Sequence, residues 1–331
     1  MRNKVLALFA AILSTLVFSA VSIAADVEPV QLGLMTGGPK GTYYQFGLNL
    51  EQLAKQQGVS LSVYNSAGSV ENIYAVYKRP MTQMGIVQSD VLAFVSRVQN
   101  DPVLKRIAQK IKMVYPLYNE EVHLLGNREI KSFDDLAGKR VAIGEEGSGT
   151  YLTAKLLFEV SNVKPLEALP VSSDEALPLV KAGKLDALFY VAGYPVKLFT
   201  EQVSLSDPLA LIPIQNPAIT EFYPTADIPA GTYSWQLQDV HSIAVKSVLV
   251  SYDFKMANCE NVGKFAQTLA DNLDWLKTNG HPKWSSVDLD YPLKGWEQYT
   301  CVQKYRSKNS AAARQPQQEI NPVLQAIKEI L

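Results

Sequence analysis

The feature that most constrains this chain is an alternation of short apolar strands with amphipathic helices, repeated in both halves of the sequence. Val30-Gln31-Leu32-Gly33-Leu34-Met35 reads as a strand, with the glycine-rich turn Gly37-Gly38-Pro39-Lys40-Gly41 after it. Tyr43, Phe46, Leu50, Leu53 and Ala54 then recur at the spacing of one helix face. Leu61 and Val63 alternate in a second strand, Asn65 to Gly68 form a turn, and Val70, Ile73, Tyr74 and Tyr77 mark a second helix that Arg79-Pro80 stops. Met84-Gly85-Ile86-Val87 is a third strand, followed by a helix from Ser89. The pattern returns as a strand over residues 139–144, the turn Gly147-Ser148-Gly149, a helix marked by Leu152, Leu156 and Val160, and a strand at Asp186-Ala187-Leu188-Phe189-Tyr190. Repeated βα units pair in parallel and carry helices on both faces. Two such blocks predict an α/β protein of two lobes.

The 331 residues suit two domains rather than one. Arg2 and Lys4, the apolar run Val5 to Phe18, and the small residues ending Ser22-Ile23-Ala24-Ala25 have the order of a secretory leader over residues 1–25. A membrane anchor is the alternative, but the run is short of the roughly 20 residues a span needs and is interrupted by Ser14 and Thr15. The expected location is the periplasm. Residues 26–117 and 240–331 are expected to form the first lobe and residues 118–239 the second, with the chain crossing near Leu117-Tyr118 and returning near Val240-His241. Val262, Phe265, Leu269, Leu273 and Leu276 form one helical stripe in the tail, and Asn321-Pro322 reads as the start of a last helix through Ile327. Cys259 and Cys301 are expected to pair in an oxidising compartment, with two buried free thiols as the alternative.

Three strand-to-helix turns carry small and hydroxyl residues together: Gly41-Thr42-Tyr43-Tyr44, Ser66-Ala67-Gly68-Ser69 and Gly147-Ser148-Gly149-Thr150. Each precedes a helix and so offers unpaired backbone N–H groups at a positive dipole end. Such turns lie at the carboxyl edge of the sheet, where open α/β folds bind ligands. Ordinary helix capping explains any one of them, but three alike from both halves favour a binding site. Tyr43, Tyr44, Tyr190 and Tyr194 flank turns, where a ring with a hydroxyl suits a closing pocket. Gln88 and Asp90 follow the third strand, where Asp90 could meet a cationic group or only steady its own helix. The candidate ligand residues are therefore Thr42, Tyr43, Tyr44, Ser66, Ser69, Gln88, Asp90, Ser148, Gly149, Thr150 and Tyr190.

Other chemistries find little support. A net charge of −1 with no basic stripe argues against nucleic acid. Neither a P-loop nor the dinucleotide glycine spacing occurs, so no cofactor is expected. The histidines, His123, His241 and His281, lack metal-ligand spacing, and Gly147-Ser148-Gly149 is not a nucleophile elbow. No catalytic or metal role is expected. A periplasmic sensor feeding a membrane kinase remains an alternative, as does a receptor for an ATP-driven importer.

At these residues the sequence resembles the TAXI-type solute-binding proteins of tripartite ATP-independent periplasmic (TRAP) transporters. The resemblance is carried, in order, by Thr36-Gly37-Gly38, Gly41-Thr42-Tyr43-Tyr44, Gly68-Ser69-Val70-Glu71-Asn72, Gln88-Ser89-Asp90-Val91, Leu117-Tyr118 with Val122-His123, Gly147-Ser148-Gly149-Thr150 and Asp186 to Tyr190. It covers roughly residues 30 to 245 and fades beyond about 250. It implies a type II-like periplasmic-binding-protein fold, two sheets joined by hinge strands, closing on a small molecule that is handed to membrane permease subunits. It also implies a small acid, glutamate or a related C4–C5 dicarboxylate. The expected receptor is a monomer. Glu145-Glu146 depart from the family's usual neutral residues and would repel an anion if they faced inward.

Overall fold

The structure is a computed structural model that describes residues 31–91, 95 and 101–306. The leader expected at residues 1–25 and the helix expected after Asn321-Pro322 lie outside the described residues. The first lobe opens with β1 (Gln31–Met35), α1 (Thr42–Gln56), β2 (Ser60–Tyr64), α2 (Ser69–Lys78), β3 (Met84–Gln88) and α3 (Pro102–Ala108). A long strand, β4 (Ile111–Asn127), leads to β5 (Arg140–Ala142), α4 (Gly149–Ser161), β6 (Glu167–Leu169), α5 (Ser173–Lys181), β7 (Ala187–Ala192) and α6 (Lys197–Gln202). Short strands β8 (Leu209–Leu211) and β9 (Thr225–Ile228) precede the second long strand, β10 (Val240–Tyr252). The tail then holds α7 (Met256–Asp271), α8 (Leu273–Asn279), a 3-10 turn over Pro282–Ser286, and α9 (Thr300–Arg306).

Two parallel blocks face each other across an antiparallel pair. β1 pairs in parallel with β2 and β3, and β5 with β6 and β7. Between them β10 runs antiparallel to β3 and β4, and β4 antiparallel to β7. The hydrogen-bonded path is therefore continuous, β2-β1-β3-β10-β4-β7-β5-β6, although it serves two lobes. The ladder between β4 and β10 shifts register twice, between Lys246 and Val248 and between Leu249 and Val250.

Each lobe has its own core, and β4 contributes to both. Val114, Tyr115, Leu117 and Tyr118 pack with Phe46, Leu50 and Leu53 of α1, whereas Val122 and Leu124 pack with Val141, Leu157 and Phe189. Between these apolar stretches lie Asn119, Glu120 and Glu121. The apolar ends of β4 anchor it in two cores, and its polar middle falls at the boundary.

The tail has one departure from the periodic stripe. Val262, Phe265, Leu269 and Leu276 are buried in the first core, with Leu273 partly buried beside them, but α7 and α8 are separate helices. Asn272 breaks them: its backbone leaves the helical region (φ −116°, ψ 20°), and its side-chain amide donates to the Thr268 carbonyl at 2.8 Å. Asn competes with the helix backbone in this way wherever its amide reaches a carbonyl. Phe46 stacks on Trp284 of the tail at 4.2 Å between ring centroids. Cys259 on α7 is bonded to Cys301 on α9, with Cα atoms 5.6 Å apart, inside the usual disulfide span.

Candidate ligand-binding site

The carboxyl ends of β1, β3 and β7 and the N-termini of four helices surround one cavity of about 90 Å³ between the lobes. The helices are α1, α2, α4 and α5, capped by Gly41, Gly68, Ser148 and Ser172. Drug-sized ligands occupy roughly 300–1,000 Å³, so this space suits a much smaller solute. Thr42 and Tyr43 line it from α1, Ser69 from α2 and Gln88 from the end of β3. Ser148, Gly149, Thr150 and Tyr190 line it from the opposite lobe.

Three hydroxyls in the wall share one arrangement. Ser69 Oγ accepts the Gln88 backbone N–H at 3.0 Å, Ser148 Oγ accepts that of Tyr151 at 3.0 Å, and Thr150 Oγ1 accepts that of Val191 at 3.2 Å. An oxygen held by a backbone donor keeps its own proton for another acceptor. The cavity wall therefore presents hydroxyl donors beside helix N-termini, the combination that favours an anionic group.

The lobes approach closely here. The Val70 N–H donates to the Gly147 carbonyl at 3.1 Å, and Thr42 Oγ1 donates to the Gly193 carbonyl. Lys40, on the turn before α1, forms an ion pair with Asp174 of α5 at 2.8 Å. Gly149 shows how tight the approach is: a Cβ there would lie 1.9 Å from Gln88 Oε1 and 2.9 Å from Ser69 Oγ. Only glycine lets the α4 N-terminus sit against β3 and α2 in this arrangement.

Three of the expected ligand residues do not line the cavity. Tyr44 is half-buried on the next position of α1, where the helix turns it away. Ser66 donates to Asn72 Oδ1 at 2.6 Å and accepts from Gly68 N at 3.0 Å, so it shapes the turn before α2. Asp90 is buried behind the wall, where Thr153 Oγ1 donates to its Oδ2 at 2.8 Å and the Val91 N–H to its Oδ1 at 2.8 Å. Burial pushes its carboxyl up to about 6 against these donors.

The structure adds residues that the sequence reading lacked. Glu120, at the polar middle of β4, lines the cavity while only 1 % exposed. Tyr43 Oη donates to Glu120 Oε1 at 2.7 Å, and Gln88 Nε2 lies 3.5 Å from Oε2. Burial pushes the Glu120 carboxyl up to about 8, with the Tyr43 and Gln88 donors opposing and the nearby Asp90 and Glu121 reinforcing it. Ser172, Ser173 and Asp174 line the cavity from the start of α5. Glu145 lies at the exposed mouth, while Glu146 does not line the cavity. Among the described lining residues there is no Lys or Arg.

His123 is buried within β4 and held at both ring nitrogens, Nδ1 against the Glu121 carbonyl and Nε2 against Tyr233 Oη, each at 2.9 Å. Burial lowers it to about 4. These shifts set opposite slopes of stability with pH. A histidine whose folded value is depressed destabilises the fold as pH falls below about 6.5, and a carboxyl whose folded value is raised destabilises it as pH rises from about 4.5. Above pH 6.5 the Glu120 effect stands clear of His123 and continues to about 8. Urea unfolding of the ligand-free protein is expected to show about 2 kcal/mol less stability at pH 8 than at pH 6.5, following about 1.4 kcal/mol per pH unit for one proton. A flat or rising profile over that interval would contradict a protonated Glu120.

The fold is shared with solved periplasmic proteins. MatC from Rhodopseudomonas palustris, solved with bound malate, superposes with a TM-score of 0.54 at 13 % identity, covering 91 % of this chain and 99 % of MatC. The periplasmic binding protein BugD gives 0.54 at 10 % identity, covering 91 % of this chain and 96 % of its own. A structure described as a periplasmic transporter gives 0.52 at 14 % identity, covering 77 % and 89 %. At such identities the likeness is one of fold, the two-lobed periplasmic-binding type. Residues 34–295 match the model of the NMT1-like family, which spans most of the chain, and the protein belongs to that family.

Proposed function

We propose that the protein is an exported solute-binding receptor of the TAXI type that closes its two lobes on a small carboxylic acid and delivers it to TRAP permease subunits in the membrane. The observation that carries the reading is the set of Ser69, Ser148 and Thr150 hydroxyls, each fixed by a backbone N–H and each left with a proton to donate, at converging helix N-termini. The lobe boundaries proposed for this closure are residues 117–118 and 240–241, in the two long strands. MatC, similar in fold, holds malate, a compound of this class.

The absence of Lys or Arg from the described lining makes these hydroxyls the chief anion contacts. Removing one should be felt. In calorimetric titrations with glutamate, succinate and malate, Ser69→Ala and Thr150→Ala are each expected to weaken the best ligand by about 1–3 kcal/mol, the value of a hydrogen bond to a charged group. Alanine variants that bind as tightly as the native protein, or a native protein that ignores every carboxylate offered, would refute the reading.

A further inference from the structure

We propose that Glu120 and Gln88 form an acceptor pole that takes an ammonium group, so that the solute is a zwitterion carrying an amino group beside its carboxylate, and a plain dicarboxylic acid is rejected. The inference rests on the carboxylate reading above and adds a second pole to the same cavity. Its starting point is a pair of acceptors in a wall otherwise suited to an anion. Glu120 presents a buried carboxyl, and Gln88 Oε1 is buried with no hydrogen-bond partner among the described residues. Both residues line the cavity. A buried acceptor without a partner is costly, and a ligand donor placed against it removes that cost.

The two poles are neighbours. Ser69 Oγ, on the donor side, is 3.5 Å from Tyr43 Oη, which itself donates to Glu120 at 2.7 Å. The same Ser69 oxygen is bonded to the backbone of Gln88. Adjacent donor and acceptor poles suit a carboxylate and an ammonium attached to one carbon. Two carboxylates fit less well: a protonated Glu120 can offer the second its single O–H, but Gln88 Oε1 and the other Glu120 oxygen are acceptors that a carboxylate cannot satisfy.

No described residue lining the cavity brings a positive charge to Glu120. Lys40 is paired with Asp174, and Lys283 with Glu121. The titratable groups around Glu120 are Tyr43 from α1, Asp90 after β3, Tyr118 and Glu121 on β4, Tyr190 on β7, and Lys283 from the tail. Two of these are carboxyls that reinforce burial in keeping a proton on Glu120 up to about pH 8. An arriving ammonium favours the carboxylate instead. The Glu120 proton then leaves to solvent, and the new contact is an ammonium–carboxylate hydrogen bond.

Coupled proton release separates this reading from its rivals. Calorimetry with L-alanine, L-glutamine, L-glutamate, succinate and malate, in buffers of differing ionisation enthalpy at pH 6.5, 7.5 and 8.5, reads both affinity and protons released. An amino acid is expected to bind tightest, to release close to one proton at pH 6.5, and to gain about tenfold in affinity per pH unit until the slope flattens near pH 8. Glu120→Gln is expected to weaken that amino acid by about 10- to 100-fold at pH 8.5 and to remove the proton release. A thermal melt of the variant checks its folding, and if it does not fold, the proton count of the native protein decides alone. Proton uptake instead of release, or succinate or malate binding more tightly than every amino acid, overturns the proposal and leaves the carboxylate reading standing. Failure of all five compounds to bind overturns both.

Discussion

Replacing Lys283 by methionine is expected to lower the unfolding free energy by about 3–5 kcal/mol, the usual cost of stranding one member of a buried ion pair. Lys283 Nζ lies 2.6 Å from Glu121 Oε1, and the two side chains are only 6 % and 4 % exposed. The ammonium also sits 3.5 Å over the Tyr194 ring. Burial holds the Glu121 carboxyl above its ordinary range and the Lys283 ammonium below its own, so desolvation outweighs the attraction between them. Pairs of that kind add little net stability but cannot be broken cheaply. The double variant Glu121→Leu with Lys283→Met is therefore expected to be more stable than Lys283→Met alone. The single variant should also lose less at pH 5 than at pH 8, because a carboxyl with a raised value regains stability as pH falls. Urea titrations of the three proteins at both pH values measure all of this, and a single variant within about 1 kcal/mol of native would show that the pair is not buried as described.

Reducing the Cys259–Cys301 bond is expected to cost about 4 kcal/mol, the chain-entropy value for a loop closed over 42 residues. The bond joins α7 to α9, and Val262, Phe265 and Val302 beside it belong to the first core. Neither helix contributes a residue to the cavity wall. Reduction should therefore lower the unfolding midpoint while leaving the Kd for a bound solute within about twofold, a change of under 0.5 kcal/mol. A Kd that shifts as much as stability does would mean that the tail transmits strain to the site.

The elements were legible where periodicity alone decides. β1, α1, α2, β3, α4 and β7 all form where the apolar spacing placed them, because each buries its apolar residues in the core clusters of one lobe. The candidate site was half legible for the same reason: three of the four helix N-termini around the cavity follow strands with strong apolar patterns. The fourth, at Ser172, follows β6, a three-residue strand with two exposed positions, which leaves almost no pattern to read. The acids were harder to place. Asp90 stood beside an obvious turn, but the helix that opens at Ser89 carries it behind the wall to Thr153. Glu120 and Glu121 were hidden within a strand otherwise apolar on both sides, and that incongruity was the available signal. Successive side chains of a strand face opposite ways, so one of the pair meets the cavity and the other meets Lys283. That partner, 162 residues away, has no local signature.

The two register shifts between β4 and β10 give the molecule a crease. A regular antiparallel ladder resists bending because every rung must stretch together, whereas a bulge frees a residue from pairing and lets the ribbon twist locally. Both shifts fall within residues 246–250, on the first-lobe side of Glu120 and Glu121. A ribbon creased at one place folds about one axis. Any opening of the lobes about that crease has to break the Lys40–Asp174 ion pair, which ties the turn before α1 to α5.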